Sequence, residues 1–310
     1  MSHDPAAVIV SVPTTELAGD LAPLPEGVEV VVWALDGPPP RPVIDIVVPP
    51  YMSGVDLRAG LDRVQTRLVQ GQSIGYEGVA DRLPPGIVFA NAASVHETST
   101  AELALALTLA AQRHLPDFVR AQAESRWAPV TAESLADRRV LLIGYGGVGK
   151  AIAARLAPFE VELTAVARTA REEDRVAVHG IDELPALLPD AEIVVLALPG
   201  GEETHHLIDD AALSALPDGA LVVNVGRGSL IDPDALVEHA GRGRIRAALD
   251  VTEPEPLPAD HPLWSLPGVL IAPHVGGASS AMRPRIARLV RTQAERMLRG
   301  EPPLNVVIET

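Results

Sequence analysis

The sequence predicts an α/β protein organised around a doubly wound parallel sheet, and three observations carry that expectation. First, short apolar runs recur at 140–143, 161–166, 193–198, 221–225, 245–249 and 269–271, each separated from the next by a helical or turn-like stretch. Strands separated in this way pair in parallel through crossovers and are buried on both faces, so they read as continuous apolar runs. Second, a glycine loop, Gly144-Tyr-Gly-Gly-Val-Gly149, follows the first of these runs and opens a helical segment. Third, the chain has 310 residues, of which 47% are hydrophobic and 21% charged, enough apolar material for about two domains. Aromatics are only 3%, so the core is expected to be aliphatic.

The first ninety residues read as a smaller α/β unit. Strand-like runs at 8–12, 28–34, 44–48 and 64–69 alternate with turn-rich spacers such as GPPPRP and PPYMSG. A long helix is expected from about 99 to 127, with Thr98, Ser99 or Thr100 as cap and Glu102 three residues after Ser99 at capping-box spacing. A last helix, about 279–298, brings six arginines (283, 285, 288, 291, 296 and 299), expected to form a solvated or interdomain face.

Composition removes several function classes. With no cysteine there is no disulfide, thiolate nucleophile, iron–sulfur ligation or Cys-type zinc site. Lys150 is the only lysine among 25 basic residues and directly follows the glycine loop, a poor place for a Schiff-base residue. A net charge of −16 argues against nucleic acid and anionic membranes as partners. The opening MSHDPAAVIV has no basic region leading into an apolar stretch, and the longest apolar candidate, 103–111, falls well short of the ~20 residues of a membrane span. The expected location is the cytoplasm.

In the glycine loop each glycine has a separate job. Gly144 makes the tight turn, Gly146 lets a diphosphate approach the backbone, and Gly149 lets helix and strand pack closely. The amides of Gly146, Gly147 and Val148 would face the diphosphate at the positive end of the helix dipole. No Lys-Ser/Thr pair follows Gly149, which excludes a P-loop. A dinucleotide site specific for NAD then wants an acidic residue at the end of the second strand. Here that strand ends Val-Ala-Arg168-Thr169-Ala-Arg171, and the first acids are Glu172 and Glu173. Arg168 and Arg171 supply guanidinium donors, and Thr169 a hydroxyl, for a ribose 2′-phosphate, so NADP(H) is favoured over NAD(H).

A rival motif needs weighing. Gly71-Gln-Ser73-Ile-Gly75 has the spacing of a hydrolase nucleophile elbow, but Gly75, Gly78 and Pro84 interrupt the helix such an elbow must open. Three other loops are better placed. Gly226-Arg227-Gly228 leaves a guanidinium unobstructed for a carboxylate. Glu255 lies in a loop stiffened by Pro256, and His274 stands between Pro273 and the glycines at 276 and 277. His3, His114, His179 and His239 read as structural or surface residues.

Taken together, the segments from Val64 to Gly277 resemble the D-isomer-specific 2-hydroxyacid dehydrogenase family, which includes glyoxylate/hydroxypyruvate reductases. The carrying motifs are Asn91…Val95-His96…Thr100-Ala-Glu102, GYGGVG, Ala197-Leu198-Pro199 before Thr204, NVGRG, DVTEPEPLP with HPLW, and PHVGG. The resemblance implies a Rossmann-type dinucleotide-binding domain (99–282) inserted into a smaller flavodoxin-like substrate domain (1–98 and 283–310), and a homodimer formed largely through the cofactor domains. It implies that Arg227 holds the substrate carboxylate and polarises its carbonyl, that His274 is the acid/base, and that Glu255 pairs with it. The family's main-chain carboxylate site corresponds to Ile74 and Gly75. Its cofactor contacts correspond to Gly144, Tyr145, Gly146, Gly147, Val148, Gly149, Leu198, Pro199, Thr204, Val225, Gly226, Arg227, Asp250, His274, Gly276 and Gly277. One departure is Glu77, which stands where an aspartate is common.

The expected activity is NADPH-dependent reduction of a small 2-oxo acid to the D-2-hydroxy acid, and the reverse. Formate oxidation is set aside because that branch pairs a glutamine with its histidine, whereas Glu255 is acidic. The alternative from another class is a cofactor-sensing interaction protein of the same fold with little turnover.

Overall fold

The computed structural model describes residues 7–173 and 176–310. It divides into two compact units, Met1–His96 with Ser279–Thr310, and Glu97–Ala278.

The first unit holds five parallel strands: β1 (Val8–Val12), β2 (Val28–Val32), β3 (Ile46–Val47), β4 (Leu68–Gln70) and β5 (Val88–Ala90), in the order β5-β4-β3-β1-β2. Alternation along each strand sends neighbouring residues to opposite faces. Ile46 and Leu68 therefore join Val10, Val12, Ile286 and Val290 in one core, while Val47, Val69 and Phe89 join Trp33, Ile44 and Leu57 in another. Both faces of the sheet are thus covered. Short helices between strands begin at polar caps: Thr14 accepts from the Leu17 N–H at 3.2 Å, and Asp56 from the Ala59 N–H at 3.1 Å.

The second unit contains β6 (Arg139–Ile143), β7 (Glu162–Ala167), β8 (Arg171–Glu173), β9 (Val176–Gly180), β10 (Ile193–Leu196), β11 (Leu221–Asn224), β12 (Arg246–Leu249) and β13 (Val269–Ile271). Their order is β13-β12-β11-β10-β6-β7-β9-β8, and only β8 runs antiparallel to its neighbour. The central six strands follow the 3-2-1-4-5-6 order of a dinucleotide-binding sheet, which reverses direction between β6 and β10. Leu141, Ile143, Val194 and Val222 pack on one face, and Val140, Leu142, Val195 and Val223 on the other. This is the doubly wound arrangement that the apolar runs predict.

The chain returns to the first unit through the helix Met282–Leu298 and ends in β14 (Val306–Glu309), antiparallel to β5. The arginines of this helix do more than solvate a face. Arg285 donates to the Val95 carbonyl at 3.1 Å, Arg291 to those of Asp20 and Leu21 at 3.1 and 3.2 Å, and Arg296 to that of Pro302 at 2.8 Å, while Arg283 pairs with Asp20. They bind the helix to its own unit.

Other expectations need correcting. The helix expected over 99–127 is two helices, Glu97–Gln112 and Leu115–Ala123. His114 takes a left-handed conformation (φ 54°), and Pro116 follows it. A proline there has no N–H for the Gln112 carbonyl and its ring would strike that group, so the first helix ends. Thr98, Ser99 and Thr100 lie inside the helix rather than capping it, because it already starts at Glu97. Four strands, β5, β8, β9 and β14, escaped the sequence reading. β5 and β8 have only three residues each, and β8 is all charged. No helix among the described residues is long and apolar enough to cross a membrane.

Candidate functional site

Loops leaving the carboxyl ends of the parallel strands of the second unit carry nearly all the residues singled out above. Ligands bind at this edge in such sheets. Gly144 follows β6, Arg168 follows β7, Leu198 lies just past β10, Val225 follows β11, Asp250 follows β12, and His274 lies three residues past β13.

Three of the loop's four glycines answer three different constraints. Gly144 has φ 106°, and a Cβ there would lie 2.6 Å from the Ala197 carbonyl oxygen. A Cβ on Gly149 would overlap the Gly144 carbonyl itself. A Cβ on Gly146 would meet nothing within 4 Å. Sterics within the protein therefore demand glycine at 144 and 149, while at 146 the space outside the backbone is open. Gly146 also begins the helix Gly147–Leu156, which has no side-chain cap. Its first amides are left for an anion, and the cradle fits a diphosphate.

At the tip of β7 stand Arg168 and Thr169, with no carboxylate. The Arg168 side chain is 88% exposed and lies 3.7 Å from an equally exposed Glu203, a contact worth little in water. Arg171 is more committed. It donates to the Tyr145 carbonyl at 3.1 Å, to the Thr169 carbonyl at 3.2 Å and to Glu173 at 2.9 Å. Lys150 completes this group, 2.5 Å from Glu173, and its ammonium, with Arg171, holds the Glu173 carboxyl below its ordinary range. Thr204 donates to the Pro199 carbonyl at 3.1 Å, closing the turn after Leu198.

The Arg227 loop is built by Asn224, which is fully buried. Its Oδ1 accepts from the Gly226 N–H at 3.0 Å and its Nδ2 donates to the Arg227 carbonyl at 2.8 Å. A Cβ on Gly226 would lie 2.6 Å from the Leu198 carbonyl oxygen, and one on Gly228 would overlap the Thr252 carbonyl. Glycines on both sides of Arg227 are therefore required by the neighbouring loops, and not only by access to the guanidinium.

Asp250 is 3% exposed and hangs the histidine loop from β12. Its carboxylate accepts from the Val275 N–H at 2.7 Å and the Gly276 N–H at 2.9 Å, and its carbonyl accepts from the His274 N–H at 2.7 Å. Burial pushes the carboxyl up, against the pull of those two amides. His274 itself is left-handed (φ 52°), a conformation that L residues adopt at a cost and that the Asp250 bonds maintain. Its Nδ1 hydrogen-bonds Glu255 Oε1, with both side chains about one-third exposed. The two motifs thus meet as an imidazole–carboxylate pair.

In the first unit, the Ile74 carbonyl accepts from Asn91 at 2.8 Å and the Gln72 carbonyl contacts His96 Nε2 at 2.6 Å, so the loop is held from its carbonyl side. Among the described residues the N–H groups of Ile74 and Gly75 meet no acceptor. Turns, and not a helix, follow β4, so the strand-to-helix elbow a Ser73 nucleophile needs is absent there. His114, His179 and His239 pair with Asp117, Glu183 and Asp210 respectively. His3 lies outside the described residues. Sequence reasoning missed the bracing roles of Asn224 and Asp250, and the Lys150–Glu173 contact; the only local signal was that Asn224 and Asp250 directly precede or end their strands' glycine- and proline-rich loops.

A strand order of this kind, a glycine cradle and a paired histidine define a nicotinamide-dependent oxidoreductase. Residues 105–276 match the family described as D-isomer specific 2-hydroxyacid dehydrogenase, NAD binding domain. The glyoxylate reductases of Korarchaeum cryptofilum and Pyrococcus horikoshii are 30% and 31% identical, covering 93% and 90% of this chain and 92% and 89% of their own. Among solved structures, a D-isomer specific 2-hydroxyacid dehydrogenase from Xanthobacter autotrophicus in complex with NADPH superimposes with a TM-score of 0.83 at 29% identity, covering 98% of both chains. An NADPH-dependent glyoxylate/hydroxypyruvate reductase from Sinorhizobium meliloti does so with 0.78 at 29% identity, again over 98% of both. The chain belongs to the D-isomer-specific 2-hydroxyacid dehydrogenase family, and it is an NAD(P)-dependent enzyme of that class.

Proposed function

We propose that this enzyme reduces a small 2-oxo acid of the glyoxylate/hydroxypyruvate type to the D-2-hydroxy acid, with NADPH preferred, and catalyses the reverse reaction. The observation that carries the reading is the His274–Glu255 pair, set on loops from β13 and β12, with Arg227 on the loop from the adjacent β11.

When bound, the reduced nicotinamide supplies hydride to C2 of the oxo acid, and charge develops on the carbonyl oxygen. His274 answers that charge. Its Nδ1 faces Glu255, which orients the ring and leaves Nε2 as the atom that hands over the proton. Arg227 grips the substrate carboxylate and stabilises the developing oxyanion. The amides of Ile74 and Gly75 supply further carboxylate donors, a role supported by their lack of other acceptors.

On the cofactor side, the amides from Gly146 to Val148 take the diphosphate, with Gly144, Tyr145 and Gly149 shaping the turn. Arg168 reads the 2′-phosphate beside Thr169, with Arg171 behind it on the Tyr145 carbonyl. Leu198, Pro199, Thr204, Val225, Gly226, Gly276 and Gly277 line the remaining length, and Asp250 acts by holding the Val275 and Gly276 amides in place.

A second copy of the chain is proposed to cover the apolar segment around Phe118, Val119, Trp127 and Val130. Trp127 is 95% exposed there, beside a groove lined by Phe118, Ala121 and Pro129. Exposure of this much contiguous apolar surface favours association. Sedimentation of wild type and Trp127→Glu tests it, with a dimer expected to become a monomer.

The activity is tested by absorbance at 340 nm with NADPH or NADH and a panel of glyoxylate, hydroxypyruvate, pyruvate and a phosphorylated 2-oxo acid. Turnover is expected, fastest with NADPH and one of the first two. Turnover with NADH alone overturns the cofactor preference and keeps the enzyme class. Tight cofactor binding without turnover on any acid points to the sensing role instead.

A further inference from the structure

Outside the catalytic set, the loop after β10 and the loop after β12 bring together His205, His206 and Glu253. One ligand atom from each lies within 4.8 Å of the others. His206 Nε2 is 3.1 Å from Glu253 Oε2, and His205 Nε2 is 3.9 Å from Glu253 Oε1. Neither imidazole is used by the chemistry proposed above.

How two consecutive residues come to share one ligand is itself informative. On a regular extended backbone, neighbouring side chains point to opposite sides. Here His205 is extended (φ −62°, ψ 124°) but His206 is left-handed (φ 49°), and the turn lays the two rings face to face with centroids 3.8 Å apart and planes 24° from parallel. A branchless, non-glycine residue holds such a conformation only where its surroundings impose it. They do so here: the His206 N–H donates to the Ser229 carbonyl at 2.7 Å, and the Leu207 N–H to the Thr204 carbonyl at 3.2 Å. The Glu253 side is fixed as well, because the Thr252 carbonyl is pressed against Gly228, the residue before Ser229. Both loops are thus registered on the same short segment, which keeps the three side chains within reach of one another, and rotation of one stacked ring about its χ2 lets both imidazole nitrogens converge on an ion.

We propose that His205, His206 and Glu253 bind a divalent transition-metal ion of the zinc class, which clamps the 204–206 turn to the loop that carries Glu255. Two imidazole nitrogens and a carboxylate oxygen, with a position left for water, are a zinc donor set. At zinc–ligand distances of about 2.0–2.1 Å, tetrahedral ligand atoms lie roughly 3.3 Å apart. The histidine–glutamate spacings are 3.1 and 3.9 Å, to the two different oxygens of Glu253, and the three ligand atoms lie within 4.8 Å of one another, so side-chain movements of up to about 1.5 Å bring them to that separation. The chain's net charge of −16 draws cations to its surface in general, and partial exposure of all three side chains leaves an entry path.

The test uses the full-length chain, free of affinity tag and stripped by a chelator, titrated with Co²⁺ and separately with Zn²⁺. One Co²⁺ per chain with a visible d–d absorption, displaced by Zn²⁺, is expected, together with a zinc-dependent rise of several degrees in Tm. His205→Asn and Glu253→Gln are each expected to weaken Co²⁺ binding at least tenfold and to abolish the Tm shift, while His205→Asn keeps the metal-free turnover. Absence of the band and of the shift in the wild type overturns the proposal. So does a band of unchanged affinity in His205→Asn, which would put the ion elsewhere. Neither outcome bears on the reductase assignment, which is read separately at 340 nm.

Discussion

The carboxylate of Asp250 accepts a hydrogen bond from the Gly276 N–H at 2.9 Å, and a Cβ at Gly276 would lie 2.8 Å from that same oxygen. With the Val275 amide on the other oxygen, the loop that presents His274 hangs from a single buried side chain at the end of β12. Asp250→Asn replaces one acceptor oxygen with an NH₂ that faces a donor. Leaving a buried donor unsatisfied costs about 1–3 kcal/mol. The variant is expected to lose that much stability in urea unfolding and to lose kcat by at least tenfold, with cofactor affinity changed far less.

The same residue sets a pH dependence. Burial holds its carboxyl above the ordinary value, so over the interval between the unfolded and folded values the folded state carries the extra proton. This contribution to stability is complete below the ordinary carboxylate value and is lost as pH rises through the folded one. Unfolding free energies measured from about pH 4 to about pH 7 should show the wild type falling relative to Asp250→Asn as pH rises. A constant difference across that range would remove the argument.

The Glu255–His274 pair is checked by steady-state kinetics of reduction. Glu255→Gln removes the carboxylate that orients the imidazole through Nδ1 and is expected to lower kcat at least tenfold, with cofactor Kd unchanged. His274→Asn should cost about 10²–10⁴ in kcat, the usual share of a general acid. A wild-type kcat in Glu255→Gln would break the pairing as a functional unit.

Arg227→Lys keeps the charge and removes the planar fork. A loss of about 10²–10³ in kcat/KM is expected, the range seen when one preorganised oxyanion donor is removed. Asn224 grips the Arg227 backbone, so the loop is expected to keep its course in the variant.

The glycine loop separates two effects that a motif match alone confounds. Gly149→Ala drives a Cβ into the Gly144 carbonyl and should destabilise the fold with or without cofactor. Gly146→Ala meets no protein atom within 4 Å and its φ of −88° suits any residue, so Tm of the apo protein should not change. Its cofactor Kd should weaken at least tenfold if the diphosphate occupies that space. For the second half of the cofactor, Arg168→Ala should cut the NADPH-over-NADH ratio at least tenfold, since its present contact with Glu203 is solvent-exposed and weak.

Much of this enzyme was legible along the chain because the constraints involved are local. A tight turn at Gly144, apolar runs buried on both faces, and Arg227, Glu255 and His274 each lying in a Gly- or Pro-marked loop after a strand are visible within a dozen residues. These determined the fold class and the residues proposed to carry the chemistry. Even the break at His114 was readable in principle, since Pro116 lay in plain view. What only the tertiary structure decided depends on segments distant in sequence. Lys150 and Glu173 are 23 residues apart, Asp250 and Gly276 are 26 apart, and His206 and Glu253 are 47 apart. The last two pairs are brought together by parallel strands whose crossovers return the chain to the same sheet edge, while the first joins a helix to the antiparallel β8, and no periodicity or propensity in either segment records its partner. Edge strands such as β8 and β14 were hidden for a related reason: their ladders are supplied by one neighbour, so their own composition need not look like a buried strand.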